Sequence, residues 1–247
     1  MTTQRKATQG KTVIVTGASQ GIGAGVANLF LERGYNVVAN SRRISTKNEL
    51  LRSDNVVLVD GDIALAATAD KLAAAAVERF GSIDALVNNA GIVFTKPFTD
   101  YTAEDFRSLV ATNLDGFIHI TQRVIKQMLA QQSGGSVVSI TASIADHPLA
   151  PLTASVPMIT KGGLNAITRS LALEYAKQGI RVSAVAPGIV ATPLSAGLPQ
   201  DLLQTLSPMR QIGTTRDIAE AVLYLTEARN VTGVVLNVDG GSHLGKW

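Results

Sequence analysis

Three glycines in TGASQGIG, Gly17, Gly21 and Gly23, lie between an apolar run, KTVIVT at 11–16, and a helical pattern that continues to about Arg33. Glycine in such a turn lets backbone N–H groups approach a ligand closely. The start of the following helix adds partial positive charge, so the two together suit a dinucleotide pyrophosphate. The plain alternative is a tight turn with close helix packing. Placement between a strand and a helix near the N-terminus favours the dinucleotide. A second chemical signal closes the next apolar run. There the sequence reads NSRR, Asn40 to Arg43, where an NAD site usually places an acid to accept from the ribose hydroxyls. Asn40 is not an acid, and a guanidinium matches a phosphate with two parallel hydrogen bonds. The expectation is NADP, with NADPH preferred over NADH, Arg42 on the 2′-phosphate and Ser41 assisting. Otherwise both arginine side chains are simply solvated.

These residues need elements to hold them, and apolar β-branched runs alternate with helical patterns along the whole chain. Strands are expected at 11–16, 36–40, 55–60, 84–90, 135–141, 180–187 and 233–239. Helices are expected from the glycine turn to about Arg33 and at about 64–80, 102–131, 155–178 and 215–227. A loop rich in Pro, Ser and Gly fills 188–213. Continuous apolar strands alternating with helices imply a parallel sheet covered on both faces. The expected fold is a single doubly wound α/β domain of Rossmann type over 11–247. Ligands of such sheets bind beyond the carboxyl ends of the strands, near the point where strand order reverses.

Composition excludes several classes. With 46% hydrophobic and 17% charged residues, the 247-residue chain is neither disordered nor short of core. It has no Cys, which removes disulfide scaffolds and thiolate metal sites, and its three His, at 119, 147 and 243, have no metal-ligand spacing. The net charge of +3 comes from scattered basic residues, so no nucleic-acid partner is expected. No apolar run approaches the ~20 residues that span a bilayer, and no membrane association is expected. The first ten residues, MTTQRKATQG, are polar and lack the apolar core of a secretory leader. The expectation is a flexible tail at 1–10 and a cytoplasmic protein.

Further motifs follow the glycine turn: NNAG at Asn88 to Gly91, Asn113 in TNLDG, Lys161 in TKGGLNA, PGIVATP at Pro187 to Pro193 and VDGG at Val238 to Gly241. In this order and spacing the chain resembles the short-chain dehydrogenase/reductase family over about 11–243, most of all its ketoacyl-reductase-type members. The resemblance implies a cofactor-binding set of Gly17, Ser19, Gly21, Ile22 and Gly23 in the turn, then Asn40, Ser41 and Arg42. Asp62 and Ile63 would lie beside the adenine, with Asn89, Ala90 and Gly91 along the cofactor. Lys161 would hold a ribose, and Pro187, Gly188, Ile189, Val190 and Thr192 would meet the nicotinamide carboxamide. It also implies a homo-oligomer, tetramer or dimer, built through the helices at 102–131 and 155–178, with SHLGKW at the C-terminus reaching a neighbour.

Members of the family use Asn, Ser, Tyr and Lys together. Asn113 and Lys161 match; Ser143 is the candidate Ser, with Thr141 as its rival. Tyr is expected four residues before Lys161, and Pro157 stands there. The chain has Tyr only at 35, 101, 175 and 224. Proline is tolerated in a helix first turn, so the backbone can keep the family shape while the acid is lost. Candidate replacements are His147, Thr160, a water held by Lys161 and Asn113, or Lys161 itself. Ser155 reads better as a helix cap.

Two functions remain in view. One is an NADP-dependent oxidoreductase acting on a small carbonyl or alcohol, with Ser143 binding the oxygen and Lys161 and Asn113 relaying protons. Leu194, Leu198, Leu202 and Met209 would form an apolar cover over the substrate, unless they are only packing. The other is a catalytically silent NADP(H)-binding sensor or partner subunit.

Overall fold

The computed structural model describes residues 10–149, 152–197 and 199–245. The expected tail thus falls almost wholly outside the described residues. Seven parallel strands form one sheet, in the order β3-β2-β1-β4-β5-β6-β7. They are β1 (Thr12–Thr16), β2 (Asn36–Ser41), β3 (Val56–Asp60), β4 (Ala85–Asn88), β5 (Gly135–Ile140), β6 (Ile180–Pro187) and β7 (Val235–Val238). Strand order runs outward from β1 to β3, then reverses and runs from β4 to β7, so the switch point lies between β1 and β4.

The central apolar runs become strands buried on both faces, whereas the edge strands β3 and β7 are only partly covered. In β1, Val13 and Val15 join a core with Val26 and Phe30 of helix α1 (Gly21–Glu32) and Ile218 and Val222 of α6 (Thr215–Glu227). Ile14, between them, joins the opposite core with Leu72 of α2 (Ala66–Phe80) and Ile120 and Val124 of α4 (Gly116–Gln131). A one-residue slip of β1 would exchange the two sets, so the register is fixed by burial on each side. No helix among the described residues is long and apolar enough to cross a membrane.

The structure departs from the periodic reading in one place that matters. The helix expected at 102–131 is broken into α3 (Ala103–Val110), a single π turn at Ala111–Asp115 and α4. Isolated π turns inside α-helices often mark functional positions, and this one carries Asn113, which is buried. The Asn113 Oδ1 accepts from the Ile92 backbone N at 2.8 Å, and its Nδ2 donates to the Ile92 carbonyl at 3.0 Å and to Thr160 Oγ1 at 3.0 Å. Asn113 therefore acts as a strand-like partner for the segment leaving β4 and ties it to α5 (Ser155–Glu174). Nothing in ATNLD breaks helical periodicity, so the turn is set by these tertiary bonds. The helix expected to run to 178 ends at Glu174, and a 3₁₀ turn at Ala176–Gln178 leads to Gly179.

Replacing Asn113 with Ala leaves a half-buried N–H and a half-buried carbonyl of Ile92 without their side-chain partner. The expected cost is about 1–3 kcal/mol of unfolding free energy, read as a lower urea midpoint at unchanged slope. An unchanged midpoint would show that the side chain carries no such load.

Candidate active site

Parallel strands bring all their carboxyl ends to one edge, and a cleft of about 1210 Å³ opens there. Every expected cofactor-binding residue lines it: Gly17, Ser19, Gly21, Ile22, Gly23, Asn40, Ser41, Arg42, Asp62, Ile63, Asn89, Ala90, Gly91, Lys161, Pro187, Gly188, Ile189, Val190 and Thr192. Ser143 lines it as well, and Asn113 does not.

The glycine turn is built around close approach. A Cβ on Gly23 would stand 2.3 Å from the Gly17 carbonyl oxygen and 2.4 Å from Asn89 Nδ2, so only glycine fits. Gly17 has a φ of +65°, in the left-handed region. Asn89 clamps this turn from the end of β4: its Nδ2 donates to the carbonyls of Thr16 at 2.9 Å and Gly17 at 3.1 Å. Thr16 Oγ1 in return accepts from the backbone N of Asn89 at 3.1 Å and of Ala90 at 3.0 Å. Helix α1 starts here with no side-chain cap and no acidic residue in its first turn. Its positive end is left open toward the cleft, a cradle that fits an anion such as a pyrophosphate.

At the end of β2, Asn40 is buried and structural, its Nδ2 donating to the carbonyls of Val59 at 2.9 Å and Gly61 at 3.1 Å. Arg42 and Arg43 are exposed at the cleft rim, with Lys47 beside them. None of the three is ion-paired among the described residues. Sequence reasoning misses Lys47, although its closeness in the chain to Arg42 and Arg43 is a signal that could find it. Asp62 holds its own loop, accepting from the Ala64 backbone N at 3.0 Å.

The other end of the cleft carries the candidate chemistry. Ser143 begins a 3₁₀ turn, Ser143–Ala145, just after β5. Its Oγ is buried and has no hydrogen-bond partner among the described residues. The rival Thr141 donates its hydroxyl to the Val185 carbonyl at 3.3 Å. A buried hydroxyl that both lacks a partner and faces the cleft is free to bond a ligand, which distinguishes Ser143 from the bonded Thr141. Lys161, on α5, is 7% exposed and donates from Nζ to the Ile140 carbonyl at 2.9 Å. Burial pushes its pKa down to about 8.

Pro157 stands in the first turn of α5, where the backbone N–H has no intrahelical partner. Its carbonyl accepts from Thr160 Oγ1 at 2.8 Å, and Thr160 in turn accepts from Asn113. The Thr160 hydroxyl is thus engaged inside the protein both as donor and as acceptor. None of the four tyrosines lines the cleft. His147 is exposed outside it, 5.6 Å from the His243 ring. Ser155 is the first helical residue of α5, the cap position falls to Ala154, and no side chain caps the helix. The capping expectation for Ser155 is therefore corrected. Of the expected apolar cover, Leu194 lines the cleft and Met209 does not. Leu198 and the Leu202 side chain lie outside the described residues, and so do Lys246 and Trp247 at the end of SHLGKW. Among the described residues, no group of three or more His, Asp or Glu is placed to hold a metal ion.

Comparison with known proteins gives the cleft a context. The family description for enoyl-(acyl carrier protein) reductases matches residues 17–243. The chain is 35% identical to a glucose 1-dehydrogenase of Gluconobacter oxydans, over 94% of this chain and 91% of that one. It is similar to the crystal structure of a 3-ketoacyl-(acyl-carrier-protein) reductase from Brucella melitensis complexed with NADH, with a TM-score of 0.87 and 31% identity over 95% of this chain and 98% of that one. A variant of ElxO with NADPH bound is similar too, with a TM-score of 0.88 and 30% identity over 96% and 100% of the two chains.

The buried Lys161 gives a measurable pH dependence. Its folded pKa of about 8 lies below the ordinary value of 10.5, so between these values the unfolded chain binds more protons and stability rises with pH. Measured as the difference between wild type and Lys161→Met without cofactor, unfolding free energy should climb by about 3 kcal/mol from pH 8 to pH 10.5. A flat or falling difference would mean that the ammonium is not desolvated.

Proposed function

Because the chain belongs to the short-chain dehydrogenase/reductase family, we propose that it is an NADP(H)-dependent oxidoreductase interconverting a small carbonyl compound and its alcohol. The observation that carries this reading is that an unpartnered, buried Ser143 hydroxyl and the buried Lys161 ammonium line one and the same cleft. Arg42, Arg43 and Lys47, without ion-pair partners among the described residues, stand at the cleft rim. The glycine turn and the open end of α1 support a dinucleotide between the two.

When bound, the nicotinamide supplies or takes up the hydride at the carbonyl carbon. The residues of the chain do the rest. Ser143 Oγ–H donates to the carbonyl oxygen and fixes its position. Lys161 stabilises the charge that develops on that oxygen and supplies the proton, directly or through one water. Its lowered pKa of about 8 keeps it able to give and regain a proton near neutral pH. Asn113 is a positioning residue here, because its carboxamide is engaged by Ile92 and Thr160. Arg42 takes the 2′-phosphate, with Arg43 and Lys47 adding to the field. Exposed Ile118 and Leu129 on α4, and Ile159 and Leu173 on α5, support assembly into a dimer or tetramer.

One observation favours a second reading. With Pro157 before Lys161 and no phenol at the cleft, the protein would bind NADP(H) without turnover, as a sensor or a partner subunit.

Calorimetric titration tests the cofactor assignment. NADPH should bind in the micromolar range and NADH much more weakly. Arg42→Ala should weaken NADPH by about tenfold to a hundredfold while leaving NADH unchanged. Equal affinity for the two nucleotides, or an Arg42→Ala variant that binds NADPH as before, would remove the assignment. Pro157→Tyr addresses the chemistry. A gain of about 10²–10⁴-fold in carbonyl reduction means that the rest of the site is assembled for turnover. No gain favours the sensor.

A further inference from the structure

The cleft is divided by charge. Among the described residues, its ionisable lining consists of Arg42, Arg43, Lys47, Asp62 and Lys161. Four of these follow β2 and β3, at the end assigned to the adenosine. Only Lys161 stands near Ser143. Beyond Ser143 the large side chains of the lining are Phe94, Ile144, Leu149, Leu152, Met158 and Leu194, with the smaller hydroxyls of Thr95, Thr112, Ser195 and Ser242 also on the cleft, those of Ser195 and Ser242 already donating to the Val190 and Leu206 carbonyls. The six large side chains come from four separate segments: the loop after β4, the loop after β5, the start of α5 and the loop after β6. Lys96 approaches the Phe94 ring at 5.5 Å, but it is outside the lining and its Nζ is paired with Asp105 at 2.7 Å. Leu194 is 75% exposed at the lip, apolar surface that an apolar occupant would remove from water.

We propose that the substrate is an uncharged carbonyl compound whose carbonyl carries a hydrocarbon arm, the arm lying along this wall and the carbonyl oxygen on Ser143 Oγ. The proposal rests on the reading of the cleft as a nicotinamide-dependent oxidoreductase site. In the reductive direction the step balances as one hydride from the reduced nicotinamide to the carbonyl carbon and one proton, by way of Lys161, to the oxygen. The C=O π bond breaks, and one C–H and one O–H bond form. A carboxylate at the far end of the arm would meet no free cation among the described residues, and burying it there is costly. A polyhydroxylated substrate would set most of its hydroxyls against these six apolar side chains, because the Ser195 and Ser242 hydroxyls of the lining are already engaged by backbone carbonyls. Lys161 does not provide an anion site in compensation. It is buried, it is already bonded to the Ile140 carbonyl, and it lies at the carbonyl end rather than along the arm.

The experiment measures ligand binding to the full chain saturated with NADP, a form that cannot reduce a ketone. Methyl ketones from pentan-2-one to octan-2-one are titrated, with 7-oxooctanoate as the charged match of octan-2-one. Affinity should rise about fourfold per added methylene, and the carboxylate should bind about a hundredfold more weakly than octan-2-one. In Leu152→Lys that hundredfold gap should shrink at least about tenfold, because a cation then faces the arm. Affinity that does not change with chain length, or 7-oxooctanoate binding as well as the ketone, would overturn the proposal while leaving the nucleotide site standing. Failure to bind NADP at all would overturn the oxidoreductase reading beneath it.

Discussion

A parallel sheet covered on both faces leaves a protein only its strand ends for polar chemistry. Within β1, Val13 and Val15 face one apolar core and Ile14 faces the other. A polar group set among them would lose water without gaining a partner. At the carboxyl end of β1 the ladder to β4 stops after Val15. The free backbone groups are taken up by side chains: Thr16 Oγ1 receives two N–H groups, and Asn89 donates to two carbonyls. The same bonds that close the sheet shape the glycine turn. Fold and binding cradle are therefore one construction, and neither Asn89 nor Thr16 can be altered without disturbing both.

The cleft works by contrast between its ends. Arg42, Arg43 and Lys47 lie at an exposed rim, where they attract an anion at small desolvation cost. Lys161 lies at the dry end, where burial opposes its charge. In that low-dielectric surrounding, interactions with a developing oxyanion are strong. The Ser143 hydroxyl, left without a partner, fits the same arrangement: its missing bond is one that a ligand oxygen can make. The hydroxyls of Thr12, Ser136, Ser139 and Ser183 also lack partners, but they lie within strands away from the cleft; of the unpartnered buried hydroxyls among the described residues, Ser143 is the one that lines it.

What the sequence discloses, and what it hides, follows from the range of the forces involved. The central strands are legible because each is a short apolar run, and burial on both faces demands that pattern; β6 at 180–187 matches residue for residue. The glycine turn is legible because close approach leaves one residue type possible. The π turn at Asn113 is not, because ATNLD is acceptable helix and the cause lies in Ile92 and Thr160, 21 and 47 residues away. Ser143 and Thr141 cannot be separated by residue type. The choice depends on which hydroxyl can reach the Val185 carbonyl, a fact of sheet register. Ser155 misleads for a related reason: the helix begins one residue earlier than a serine cap requires, and Ala154 takes the position.

Pro157 shows why the family fold and the family chemistry are separable. Its hydrogen bond to the rest of the site is made by its backbone and not by its buried side chain. The carbonyl accepts from Thr160, Thr160 accepts from Asn113, and Asn113 holds Ile92. The missing N–H falls in the helix first turn, where no bond is lost. Exchange of the side chain there leaves this chain of bonds intact, so a phenol can disappear while α5, the π turn and the position of Lys161 persist. Similarity of backbone therefore says nothing about the acid. The chemistry must be carried by the groups that still face the cleft, and at its dry end those are Ser143 and Lys161.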